Sequence, residues 1–207
     1  MKIGFIFECG EKGPDVKVCR HLVKLINTDI EFVPIELNNK PKLIQHCGKA
    51  AKSLLELDGC EKIIIVWDLY PPWRDSKPCR HEDRQNIFHA LKTERVDLHR
   101  VSLVCICEEL EAWLLADNKA VRDMIAELKH PHTVKRIQKF KNPDRIQSPK
   151  TKLTKIFNME LGSNCRYIDY QYAIKIAEKI TDLNRIKNSE SFRRFVLKVS
   201  GIDLKPI

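Results

Sequence analysis

One stretch of the chain, KIIIVWD at residues 62–68, constrains the fold more than any other. Its five central residues are apolar and four of them are β-branched, which predicts a strand with both faces buried. Strands of this kind are typical of mainly parallel sheets that carry helices on both sides. We therefore expect a layered α/β domain.

Three further apolar runs predict strands, and the segments between them repeat apolar residues at helical spacing. Pro34 lies in the second run and places that strand near an edge of the sheet, because proline cannot donate a ladder hydrogen bond. Asp15 is expected to cap the first helix. The predicted strands span residues 2–7, 30–37, 62–68 and 101–109, and the predicted helices span 16–26, 41–57 and 81–95 and resume at 110.

The chain changes character near residue 130. Residues 130–152 contain three prolines and no clear apolar period, which indicates a connector with little regular structure. Three helical patterns follow at residues 150–158, 168–184 and 190–199. We predict an α/β domain with about four strands at residues 1–130, and a basic connector with a helical extension packed on the same domain at residues 131–207.

Charge is distributed unevenly along the chain, whose net charge is +9. Residues 1–117 carry 17 Lys and Arg against 19 Asp and Glu, whereas residues 118–207 carry 20 against 9. A basic second part suits a polyanionic partner such as nucleic acid, although a solubilising surface would have the same composition. No run reaches the roughly 18 apolar residues of a membrane span, and the first residues lack the pattern of a signal peptide. We expect a cytoplasmic protein without a membrane partner.

Acidic residues follow three of the four predicted strands. Glu8 follows the first strand, Asp68 ends the third, and Glu108, Glu109 and Glu111 lie at and beyond the end of the fourth. In parallel α/β sheets, ligands bind outside the carboxyl ends of the strands, and neighbouring strands are about 4.8 Å apart. Carboxylates gathered there would repel one another unless a cation lay between them. Oxygen ligands of this kind suit Mg²⁺ or Mn²⁺.

Five short motifs in this order resemble a known protein family. The arrangement is similar to the Toprim domain of topoisomerases, primases and OLD-type nucleases, and most specifically to a Toprim-like prokaryotic family, domain of unknown function DUF4276. The resemblance covers nearly the whole chain and implies a Rossmann-like layered fold. The motifs are ECGEKGPD (8–15), VWDLY (66–70), EELEAWLLAD (108–117), SPKTKL (148–153) and SFRRFVLKV (191–199).

The resemblance implies roles for five side chains. Glu8, Asp68, Glu109 and Glu111 would hold one or two Mg²⁺ or Mn²⁺ ions, and Glu8 is alternatively a general base. Lys150 would neutralise a phosphate, the alternative being that it only occupies the first turn of a helix.

The chain departs from the Toprim pattern at the third strand. Toprim enzymes that break phosphodiesters usually have D-x-D at this strand, whereas Tyr70 stands here in place of the second acid. Glu109 or Glu111 would have to supply the missing ligand from the neighbouring strand. This departure leaves open whether the site is catalytic.

Basic residues are concentrated in residues 133–155, where eight Lys and Arg accompany a single acid, Asp144. Phe140 lies among them. No helix-turn-helix or zinc-finger motif accompanies the segment, so the predicted nucleic-acid contact is not sequence-specific. Besides Lys150, the residues predicted to contact nucleic acid are Lys135, Arg136, Lys139, Lys141, Arg145, Lys152 and Lys155.

Three functions follow from these observations. The first is a divalent-metal-dependent, Toprim-like nuclease, which the resemblance pairs with an ATPase as the effector half of a defence-like system. The second is a catalytically degenerate Toprim-like protein that regulates such an ATPase. The third is a small-nucleotide phosphohydrolase or binder. The sequence leaves the oligomeric state, the metal count and the substrate open.

Overall fold

The computed structural model of the chain describes residues 1–11, 13–72, 78–129 and 134–205. These residues form one four-stranded sheet in the order β2-β1-β3-β4, with every neighbouring pair parallel. The predicted α/β class with a parallel sheet is confirmed. The strands are β1 (Lys2–Phe7), β2 (Glu31–Glu36), β3 (Lys62–Asp68) and β4 (Val101–Ile106).

Eight helices are present in the described residues. Three lie between successive strands and five follow β4, so the chain completes its sheet before it builds most of its helices. The helices are α1 (Asp15–Ile26), α2 (Lys40–Glu56), α3 (Arg80–Thr93), α4 (Glu111–Ala116), α5 (Asn118–Leu128), α6 (Pro149–Leu161), α7 (Asp169–Glu178) and α8 (Glu190–Ser200). None of these helices is both long and apolar enough to cross a membrane.

The strand with the unbroken apolar run lies inside the sheet. β3 pairs with β1 on one side and β4 on the other, and its residues from Ile63 to Trp67 are at most 2 % exposed. β2 forms an edge, as Pro34 predicts, because a strand paired on one side tolerates a missing donor.

Helices cover both faces of the sheet. On one face, α2 and α3 bury Leu54 and Leu91 against Ile65 and Trp67 of β3. These two helices approach closely at Gly48, where a Cβ atom would lie 2.3 Å from the carbonyl oxygen of Ala90. On the other face, α1 and the helices that follow β4 enclose a larger apolar cluster around Phe5, Phe7, Ile64, Val66 and Ile106.

The last helices of the chain pack on that second face. α7 contacts α1 and α5, and α8 contacts β4 and α1. The indole nitrogen of Trp113 in α4 donates to the hydroxyl of Ser191 in α8 at 2.8 Å. Residues 149–200 therefore contribute helices to the same apolar cluster as the sheet.

Several element boundaries differ from those predicted from the sequence. Asp15 is the first residue of α1 rather than its cap, a position taken by Pro14. β4 ends at Ile106, because Glu108 adopts a left-handed backbone with φ of 66°.

One predicted helix is shorter than expected and another is divided in two, in each case beside an aspartate that binds the backbone ahead of it. The helix expected at residues 168–184 ends at Glu178, and the Asp182 side chain accepts the Asn184 N–H and starts a separate turn. The helix after β4 is two helices, because Asp117 caps α5 by accepting the Lys119 and Ala120 N–H groups.

Candidate metal and phosphate site

Acidic side chains from separate parts of the chain line one cavity at the carboxyl edge of the sheet. β1 and β3 run side by side, with Phe7 opposite Val66, so Glu8 and Asp68 leave the sheet at the same edge. After β4, the left-handed turn at Glu108 leads the chain into α4. The cavity measures about 250 Å³, and its charged lining residues are Glu8, Asp15, Asp68, Glu109, Glu111, Lys150 and Asp169. We call it the acidic cavity.

The surroundings of Glu8 disfavour its charged form. Its Oε2 atom is buried and has no hydrogen-bond partner among the described residues. Burial raises the pKa of Glu8 from 4.5 to about 8, the nearby Lys40 ammonium opposes this, and Asp15 and Asp83 add to it. The folded chain thus holds a carboxyl group that favours its protonated form.

The surroundings of Asp68 and Glu111 also disfavour their charged forms. Burial, followed by the charges of Asp15, Glu8, Glu111 and Glu109, raises the pKa of Asp68 well above its usual range. Glu111 is only 5 % exposed, and burial raises its pKa to about 7. The described residues that line the cavity therefore bring six acids together with a single lysine.

Two acids of the cavity were not predicted from the sequence. Burial raises the pKa of Asp15 to about 6, and the neighbouring Cys9 thiol opposes this rise. Asp15 is the last residue of the ECGEKGPD motif, so that motif could have identified it. Asp169 is the first residue of α7 and has no comparable signal, because it reaches the cavity only through the packing of the last helices.

Among the described residues that line the cavity, Lys150 is the cation. It is the second residue of α6, and its backbone N–H donates to Glu109 Oε2 at 2.9 Å. Its Nζ pairs with Asp169. Burial disfavours the ammonium, but Asp169 outweighs burial, so the pKa of Lys150 is raised, and Lys150 in turn holds the pKa of Asp169 below its usual value.

A buried ion pair supports the loop beside the cavity. Lys40 is 3 % exposed, and its Nζ donates to the carbonyl oxygens of Leu69 at 2.8 Å and Pro71 at 2.6 Å. Lys40 Nζ also lies 3.6 Å from Asp83 Oδ2, which accepts the indole N–H of Trp67 at 3.1 Å. The loop from Leu69 to Pro71 follows β3 and carries Tyr70 to the cavity. Sequence reasoning missed this pair.

Comparison with known proteins identifies the family. A sequence model of the family described as domain of unknown function DUF4276 matches residues 12–200. The chain belongs to the DUF4276 family. Searches of curated proteins and of solved structures find no match. Of the predicted site residues, Asp68, Glu109, Glu111 and Lys150 lie inside the matched range, and Glu8 precedes it.

The side chains of this DUF4276 protein suit a hard divalent cation in chemistry. Carboxylate oxygens are the ligands that Mg²⁺ prefers, and Oε2 of Glu8 has no hydrogen-bond partner among the described residues that would compete with a metal ion. Within the described residues, however, no three His, Cys, Asp or Glu side chains are already close enough to hold one ion. The donor set therefore fits the cation, with side chains that must move inward to reach it.

The predicted nucleic-acid contacts lie elsewhere on the surface. All seven belong to the connector after α5 or to α6, and none of them lines the acidic cavity. Lys152 is half-buried, and the other six are exposed. The structure thus brings together the five predicted catalytic and metal residues and leaves the seven basic residues outside that cavity, on the connector and α6. We call this the basic surface: Lys135, Arg136, Lys139, Lys141, Arg145, Lys152 and Lys155.

Proposed function

We propose that this DUF4276 protein is a divalent-metal-dependent phosphoryl-transfer protein, most specifically a Toprim-like nuclease that acts on nucleic acid. The observation that carries the proposal is the acidic cavity, in which carboxylates that follow β1 and β4, end β3 and begin α1, α4 and α7 meet with one lysine of the described residues. A parallel sheet with acids at its carboxyl edge also supports the Toprim-like relationship.

Four residues would hold the cofactor, Mg²⁺ or Mn²⁺: Glu8, Asp68, Glu109 and Glu111. The bound ion would stabilise charge on the transferring phosphoryl group and lower the pKa of a coordinated water. Glu8, whose pKa is about 8, is able to hold or accept a proton near neutral pH. Lys150 would bind a phosphate oxygen by exchanging its Asp169 partner for the substrate.

Nucleic acid as the substrate is supported by the basic surface. None of its seven side chains forms an ion pair with a described acid. The two acids in or beside these segments are already engaged: Asp144 accepts from Ser189 and Ser191, and Glu160 accepts from the Lys135 backbone N–H. Uncompensated cations on one surface suit a phosphate backbone without sequence preference.

The experiment that tests this proposal combines metal binding with cleavage. The purified chain is titrated with Mn²⁺ by calorimetry and incubated with plasmid, single-stranded DNA and RNA, with and without Mn²⁺. We expect Mn²⁺ binding and metal-dependent cleavage, both lost in Asp68→Asn and retained in Asp58→Asn, which changes an exposed acid far from the cavity. Metal binding without cleavage by the chain alone, followed by cleavage when an ATPase partner is added, would assign it the effector role.

A second function is favoured by one observation. Tyr70 replaces an acid beside the cavity, and the described residues contain no preformed set of three metal ligands. A catalytically degenerate, regulatory Toprim-like protein would have these features. It predicts no Mn²⁺ binding that depends on Asp68, so the same calorimetric titration separates the two functions.

A further inference from the structure

A second cavity opens in the basic surface, between the connector and α6. It measures about 220 Å³, and its apolar walls are formed by Ile137, Phe140, Ile156 and Met159. Met159 is 76 % exposed, which is unusual for a large apolar side chain. The Nζ atom of Lys152 lies 5.6 Å from the centroid of the Phe140 ring. We call this cavity the slot.

The slot is apolar inside and positively charged outside. Lys135, Arg136 and Lys152 line it, and none of them has an ion-pair partner among the described residues. Its one acid, Glu160, is 7 % exposed and lies within 3.9 Å of the Lys129 ammonium. The rim therefore keeps its positive charge. A partner that fits must combine flat apolar groups with a regular negative charge.

The slot also lies beside the acidic cavity. Lys150 lines the acidic cavity and Lys152 lines the slot, and both belong to the first turn and a half of α6. Residues two positions apart on a helix point in different directions, so the two cavities flank the beginning of α6. A chain of a few nucleotides that enters the slot would have its neighbouring phosphates close to Lys150.

We propose that the slot binds a nucleobase of a single-stranded nucleic acid, with the flanking phosphates on the basic surface. The base would replace the Lys152 ammonium over the Phe140 ring, and Lys152 would then reach a phosphate. In a duplex the bases are stacked and paired inside the helix, so they cannot enter a slot of this kind. The inference rests on the proposed nucleic-acid function and adds the class of substrate to it.

The test uses the full chain without divalent metal, so that binding is measured apart from cleavage. Fluorescence anisotropy compares labelled oligo-dT, oligo-U and a DNA duplex of equal length at two salt concentrations. We expect both single strands to bind more tightly than the duplex. Phe140→Leu, which keeps an apolar side chain but removes the stacking ring, should weaken single-strand binding about 5- to 150-fold and leave duplex binding unchanged. If only one of the two single strands binds, the result identifies DNA or RNA as the ligand.

The chain offers a matched control on α3. Phe88 is half-buried like Phe140, and the Arg84 guanidinium lies 5.7 Å from its ring centroid. Phe88→Leu should therefore leave all affinities unchanged. Met159→Ser provides a second variant, since an exposed side chain can be changed without loss of the fold. It should weaken single-strand binding in the same direction as Phe140→Leu.

The outcomes separate this inference from the function on which it rests. If single strands and duplex bind equally well and Phe140→Leu has no effect, the slot does not bind a nucleobase. The proposal that the protein binds nucleic acid would still stand. If none of the three probes binds, both proposals are overturned. A polyglutamate peptide that competes as well as oligo-dT at equal charge would show that the slot does not recognise bases.

Discussion

Two groups of buried charges lie close together beyond the carboxyl edge of the sheet, and they are built in opposite ways. In the first, Lys40 and Asp83 are almost fully buried, and each has partners for its charge: two carbonyl oxygens for the ammonium and an indole N–H for the carboxylate. In the second, the acidic cavity, Glu8 has a buried oxygen without a hydrogen-bond partner among the described residues, and burial raises the pKa of Glu111 to about 7.

The comparison shows that this fold is able to neutralise a buried acid when the acid has a structural role. Asp83 is matched by a cation from a neighbouring helix, and together they hold the loop that follows β3. Among the described residues that line the cavity, Lys150 is the one cation, and it is paired with Asp169, while Lys40 acts on Glu8 from outside the cavity. The positive charge that is lacking there is what a divalent cation would supply.

The largest expected effect is the loss of Lys40. Lys40→Met leaves Asp83 buried without its cation and releases the carbonyl oxygens of Leu69 and Pro71. We expect the free energy of unfolding to fall by about 3–5 kcal/mol, measured by urea denaturation. Lys49→Met, at an exposed position of the same helix, should change it by less than about 0.5 kcal/mol. A similar loss in both variants would mean that the buried pair is not special.

The second prediction concerns pH in the absence of metal. Glu8 has a pKa of about 8 and Glu111 of about 7 in the folded chain, against 4.5 for both in an unfolded one. Between these values the folded state binds more protons than the unfolded state, so the free energy of unfolding must fall as pH rises from about 5 to 8. We expect the free energy of unfolding to fall by a few kcal/mol, because a difference of one pKa unit corresponds to about 1.4 kcal/mol.

Metal should reverse this loss. With Mn²⁺ present the melting temperature should rise more at pH 8 than at pH 6, because a cation favours the ionised carboxylates. The measurement is a thermal melt in EDTA and in Mn²⁺ across this pH range. If stability in EDTA rises with pH, ionisation of the cavity acids does not destabilise the folded chain.

The third prediction compares one chemical change in the two groups. At pH 8 and without metal, Glu111→Gln removes a charge that the fold disfavours, so it should stabilise the chain by about 1–3 kcal/mol. Asp83→Asn removes the partner of Lys40 and should destabilise it. Urea denaturation of both variants gives the two signs. If both variants change the free energy of unfolding in the same direction, the two groups of buried charges do not differ in the way described.

The sequence predicts those residues of the site that lie at the ends of strands. Ile63 to Trp67 identify a buried parallel strand without any structure, and Glu8 and Asp68 then lie at one edge because parallel strands end together. Asp169 and Lys40 could not be found this way. Each reaches its partner through the docking of a helix, and the local sequence of a helix does not state which neighbour it will meet.

The smallest effect on stability is expected at Lys150. Its ion pair with Asp169 is partly exposed, so Lys150→Gln should change the free energy of unfolding by less than about 1 kcal/mol. If Lys150 binds phosphate, the same variant should still weaken single-stranded DNA binding and reduce its salt slope by about 1. The control is Lys179→Gln, which removes a comparable exposed pair with Glu127 and should leave the salt slope unchanged. An unchanged slope in Lys150→Gln would make this lysine a surface residue like Lys179, and its pair with Asp169 an ordinary contact between helices.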